Sequence, residues 1–92
     1  HHDSVYGSPG AADDSAGVAA ILETARALGA RGTPLRDLIV VLTDGEDSGL
    51  CGAQRFFAAD PARGRIGALI NLEARGGGGR ATLFQTTPGN GA

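Results

Sequence analysis

Ninety-two residues are enough for one small domain. A formal charge of −2, with all eight basic residues arginine and dispersed from Arg26 to Arg80, leaves no electrostatic case for a nucleic-acid partner. A single cysteine, Cys51, excludes an internal disulfide, and no apolar run approaches the ~20 residues of a membrane span.

Residues 1–15 are polar and turn-rich, through His1-His2-Asp3-Ser4, Gly7-Ser8-Pro9-Gly10 and Ala12-Asp13-Asp14-Ser15. A loop of that length inside a domain is usually functional. Val18, Ile21, Leu22, Ala25 and Leu28 then recur at helical spacing, predicting a helix with one covered face. Asp14 or Ser15 would cap it, and Gly29, Gly32 and Pro34 would stop it. Leu38 to Thr43 is a continuous, β-branched apolar run that reads as a central strand covered on both faces. A polar turn from Asp44 to Gly49 leads to a helix over 50–59, with Leu50, Phe56 and Phe57 as core contacts and Cys51 as a small buried hydrophobe. Asp60-Pro61 ends that helix. Ile66 to Leu72 reads as a second buried strand, Gly76 to Gly79 as a turn, Ala81 to Thr86 as a third strand, and Pro88 to Ala92 as a closing turn. Helices between buried strands predict an α/β layer fold with a largely parallel sheet.

Acidic or histidine-bearing stretches follow these runs, where turns over one sheet edge can bring ligands to a point. In His1-x-Asp3 a carboxylate can orient a metal-binding imidazole, although paired terminal histidines also occur as remnants of a purification tag. Asp13 and Asp14 could be helix-capping acids, but that leaves the long loop delivering them unexplained. Glu46 and Asp47 are adjacent acids that repel each other unless a cation or a proton intervenes. With a metal present, one can bind it while the other serves as a general base. Glu73, after an apolar run, belongs either in water at a rim or against a cation.

In that order the stretches His1-His2-Asp3-Ser4, Ser8 to Ala19, Thr43 to Leu50 and Asn71-Leu72-Glu73-Ala74 resemble the M28 zinc peptidases, which include bacterial aminopeptidases. The continuation through Leu83-Phe84-Gln85-Thr86 to Pro88-Gly89-Asn90 is most similar to the membrane-anchored endoplasmic-reticulum and vacuolar branch. The resemblance implies a three-layer α/β sandwich of the zinc-exopeptidase type with a largely parallel mixed sheet, of which residues 1–92 are an incomplete catalytic domain. It implies two Zn2+ ions. His1 and Glu73 would hold the first, Asp13 would bridge both across a peptide bond to Asp14 that is often cis, and Asp47 would hold the second. Asp3 would support His1, and Glu46 would be the general base and acid. A further histidine ligand would lie beyond residue 92. The family usually has Glu-Glu where this chain has Glu46-Asp47, which shortens that ligand by one methylene. The implied partners are peptide or protein substrates, with membrane attachment through other segments and an extracytoplasmic or membrane-anchored location. Two other readings share these residues: a single-zinc glutaminyl cyclase on the same fold, and a binding domain that kept the fold without its metals.

Overall fold

The structure is a computed structural model that describes residues 1–74 and 76–89; Arg75 and the Asn90-Gly91-Ala92 end of the expected closing turn lie outside the described residues. Both predicted helices are present. Helix α1 spans Ser15–Ala30 and helix α2 spans Cys51–Ala59, and a short 3-10 helix, Pro61–Arg65, follows α2.

Helix α1 covers its apolar stripe only in part: Val18, Ile21 and Ala25 are partly covered but Leu22 and Leu28 are exposed, and the helix carries a two-pronged ion pair from Arg26 to Glu23 at 2.6–2.7 Å. It ends where glycine removes helix preference, and the Arg31 amide closes the last turn onto the Leu28 carbonyl. Asp14 takes the N-cap position, yet its carboxylate makes no capping bond to the helix amides. Helix α2 begins one residue later than predicted because Leu50 adopts a left-handed conformation, φ 61°. Asp60 ends α2 as expected and then caps the 3-10 helix, its carboxylate accepting the Ala62 amide at 2.8 Å. Arg63 donates to the carbonyls of Phe57 and Ala58, tying the 3-10 helix back to α2.

The expected α/β sandwich is corrected by the structure: among the described residues there is no strand and no sheet. The runs 38–43, 66–72 and 81–86 were read as strands from their apolar, β-branched composition. A strand, however, exists only when a neighbouring segment about 4.8 Å away takes its amides and carbonyls. Within this chain the 38–43 run gains one such bond at its end, from the His2 amide to the Thr43 carbonyl at 3.0 Å. The same runs were expected to be buried, and they are not. Leu38 to Leu42 are exposed, Ile70 is 86% and Leu83 84% exposed, and no hydrophobic side chain among the described residues is fully buried. Cys51, Leu50 and Phe57 are exposed as well, contrary to expectation, although Phe56 and Phe57 meet edge to face at 5.1 Å. Apolar composition therefore marked the segments that require partners without the partners being supplied here.

Candidate metal centre

Four separate segments, 1–3, 13–14, 46–47 and 73, meet around the imidazole of His1, whose side chain is only 3% exposed.

The His1 ring is oriented from one side by Asp3. Its Nδ1 lies 3.0 Å from the Asp3 carbonyl and 3.3 Å from Asp3 Oδ1. Both neighbours are acceptors, so Nδ1 carries a proton, and Nε2 is left to face either a proton shared with Asp13 or a cation. Asp3 Oδ1 also accepts the Glu46 amide at 3.2 Å, which joins the N-terminal segment to the 44–49 turn. Partial desolvation raises the Asp3 pKa, but amide bonds from Glu46, its own residue and Asp47, with the His2 charge, outweigh it and hold the carboxyl below its ordinary value. His2 itself is exposed, in keeping with a variable middle position.

The second segment is a self-bonded loop. The Ser8 amide donates to the Val5 carbonyl, the Ser4 hydroxyl to the Ser8 carbonyl, and the Gly10 amide to the Ser8 hydroxyl. The Ser15 amide then closes onto the Gly10 carbonyl, presenting Asp13 and Asp14 across a cis peptide bond. Asp13 Oδ1 lies 3.1 Å from His1 Nε2. Asp14 turns inward, 2% exposed, and its Oδ2 accepts from the terminal ammonium nitrogen of His1 at 2.9 Å, an ion pair, while Oδ1 has no partner among the described residues. Gly17 makes this possible, since a β-carbon there would sit within 2.8 Å of Asp14 Oδ2 and Cγ.

The third segment is the turn before α2. The amides of Gly49 and Leu50 both donate to the Glu46 carbonyl, and those of Cys51 and Gly52 donate to the carbonyls of Gly45 and Asp44. Gly52 is required here because a β-carbon would meet the Asp44 backbone at 2.7–2.8 Å. The turn brings Glu46 Oε2 to 3.7 Å from His1 Nε2. Partial desolvation raises the Glu46 pKa, and the charges of Asp47, Glu73, Asp13 and Asp3 raise it further. Desolvation also leads for Asp47, followed by Asp13 and Asp3. Finally, Glu73 Oε1 lies 3.9 Å from His1 Nε2 and accepts the Ala74 amide at 2.8 Å.

Ligand atoms fall into two trios, His1–Asp13–Glu73 and His1–Glu46–Asp47, each with all members within 4.8 Å of one another. Donors ~2 Å from one tetrahedral ion stand ~3.3 Å apart, so the nitrogen–oxygen spacings here are close to closure on a cation. An imidazole nitrogen facing three carboxylate oxygens at 3.1–3.9 Å calls for a positive charge between them, which a proton or a metal cation supplies. One histidine nitrogen and several carboxylates are a donor set that suits zinc. The residues present therefore fit the implied metal.

All six residues singled out in the sequence lie in this cluster. The residue that the sequence reading undervalued is Asp14. It was weighed as a capping acid, whereas it holds the backbone of His1. The available signal was Gly17, a small residue one turn further along the helix.

The family model for Peptidase family M28 matches residues 1–92. Endoplasmic reticulum metallopeptidase 1 of Rattus norvegicus is 43% identical over 91 residues, covering 98% of this chain and 10% of that protein. The Homo sapiens protein of the same name is 40% identical over 91 residues, with the same coverage. Vacuolar membrane protease of Schizosaccharomyces pombe is 40% identical over 90 residues, again 98% of this chain and 10% of the relative. The chain thus spans about a tenth of the length of these relatives. No solved structure matches at comparable significance.

Proposed function

The chain belongs to peptidase family M28, and from that premise we propose that residues 1–92 form part of the catalytic domain of a two-zinc aminopeptidase. The observation that carries this reading is His1 Nε2, presented by Asp3 to the oxygens of Asp13, Glu46 and Glu73.

His1, Asp13 and Glu73 would hold one zinc, and Asp13 and Asp47 the other. When bound, zinc polarises the scissile carbonyl and lowers the pKa of water. Asp3 holds the His1 tautomer and ring plane. Asp14 holds the backbone from which that ring projects. Glu46, whose Oε2 stands 3.7 Å from His1 Nε2, accepts the proton of the attacking water and returns it to the departing amine.

The substrates on this reading are peptides with a free amino terminus. The printed names of the relatives place one at the endoplasmic reticulum and another at the vacuolar membrane, and we extend an extracytoplasmic or membrane-anchored location to this protein. No helix of the described residues is long and apolar enough to cross a membrane.

The test is zinc content together with peptide hydrolysis by the protein as its gene encodes it. Two zinc ions per chain and release of N-terminal residues support the reading. Ammonia release from glutaminyl peptides without hydrolysis would replace it with the cyclase. Under one zinc per chain after metal loading would leave a binding domain.

A further inference from the structure

Beside the metal cluster lies a cavity of about 690 Å³. It shares a wall with the cluster, because Glu73 lines both, and Ala12, which precedes Asp13, lines its rim. Most of the remaining described lining is alanine and glycine, from α1, the 76–79 segment and the positions beside it, which leaves room for a side chain. Among the described lining residues two are charged, Glu73 and Arg80. Glu73 faces His1, at 3.9 Å. Arg80 makes no hydrogen bond or ion pair among the described residues, unlike Arg26, Arg63 and Arg65, which are held by protein acceptors.

Electrostatics gives that arginine a purpose. Asp3, Asp13, Asp14, Glu46, Asp47 and Glu73 make the neighbourhood strongly anionic, and two zinc ions would offset four of those six charges. A substrate carrying a carboxylate would therefore enter this cavity against a neutral or negative field unless a cation met it. A guanidinium with its donors uncommitted pairs with a carboxylate through two parallel hydrogen bonds.

We propose that Arg80 is a specificity-determining residue that receives a carboxylate of the peptide substrate in the cavity beside the metal cluster. The inference rests on the peptidase reading for its substrate class. The carboxylate can be an acidic side chain or the C-terminus of a short peptide.

The experiment measures equilibrium binding by calorimetry to the zinc-bound, gene-encoded protein, wild type against Arg80→Gln. The probes are three dipeptide analogues whose scissile amide is reduced to a methyleneamine. They are Leu-Ala amide, which has no carboxylate, Leu-Ala, which has a terminal one, and Glu-Ala amide, which has one on its side chain. At least one carboxylate probe is expected to lose about tenfold in affinity in Arg80→Gln, and Leu-Ala amide less than twofold. Loss confined to Leu-Ala identifies the peptide terminus, and loss confined to Glu-Ala amide identifies the side chain. Equal change for all three probes, or none, overturns the proposal. Hydrolysis of the corresponding natural dipeptides is read separately. Turnover with no Arg80-dependent preference defeats this inference alone, whereas Arg80-dependent binding without any turnover defeats the peptidase reading alone.

Discussion

The Asp14 carboxylate lies directly over the α-carbon of Gly17, so that a β-carbon at residue 17 would come within 2.8 Å of Asp14 Oδ2 and Cγ. Oδ2 in turn holds the backbone nitrogen of His1 at 2.9 Å. A glycine in the first turn of α1 thereby sets the position of an imidazole sixteen residues earlier. Gly17→Ala is expected to displace Asp14, and with it His1, while the helix itself gains propensity. Zinc affinity should fall ~10–100-fold, the usual effect of disturbing the groups that support a ligand. Competition against a chelating dye checks this, and unchanged affinity would show that Asp14 does not position His1.

Glu46 carries the clearest pH consequence. Its pKa is raised in the folded, metal-free protein by partial desolvation, then by Asp47, Glu73, Asp13 and Asp3. For a group raised on folding, the stabilising contribution is complete below the unfolded value of about 4.5. It is lost as pH rises through the higher folded value. Near neutrality the carboxylate is thus a destabilising neighbour, and Glu46→Gln should make the metal-free protein more resistant to urea at pH 7 than wild type. The difference should vanish below about pH 4. Asp47 acts in the same direction, while Asp3, with a lowered pKa, stabilises above its unfolded value near 3.8 and loses that contribution on acidification. In the zinc-bound protein Glu46→Gln should lower kcat ~10²–10⁴-fold without changing zinc content. An unaltered kcat would remove Glu46 from proton transfer.

Asp47 separates a two-metal site from a one-metal site. It shares a ligand trio with His1 and Glu46 and lies outside the His1–Asp13–Glu73 trio. Asp47→Ala should reduce bound zinc from two ions to one by elemental analysis, with the tighter ion retained. Asp47→Glu, which restores the methylene the family usually has, should keep two. Two ions in Asp47→Ala would exclude Asp47 as a ligand.

Residues 1–92 taken alone should behave as a chain without a core. No hydrophobic side chain among the described residues is fully buried, and Leu38 to Leu42, Leu69 and Ile70 are exposed. Hydrophobic burial is the main favourable term in folding, and helices of 16 and 9 residues are marginal without packing. The isolated polypeptide is expected to bind an apolar dye, to self-associate through the 38–43 run, and to melt without a cooperative transition. A sharp calorimetric peak from a monomer would contradict this.

The candidate site was legible in the sequence to an unusual degree, and the sheet was not, for one physical reason. A metal centre is announced by chemistry that local sequence carries: an imidazole with a carboxylate two residues on, paired acids after a long loop, adjacent acids on a turn. His1, Asp3, Asp13, Glu46, Asp47 and Glu73 do come together, while their roles as ligands and base are what the family resemblance implies, since each stretch alone also fits a cap, a solvated turn or a rim. Helices α1 and α2 were found for a related reason, since their hydrogen bonds close within the segment and leave a local periodicity. A strand closes its bonds on a neighbour that may be anywhere, so the runs 38–43, 66–72 and 81–86 announced only a need for cover. Tertiary structure alone decided that this need goes unmet within the described residues, and that Asp14 turns away from the helix amides to hold His1. It also decided that Glu73 and Arg80 share one cavity. The positive φ with which Leu50 enters α2 is set within its own turn, by the amide bond to the Glu46 carbonyl, whereas the others depend on distances between segments that the fold brings together.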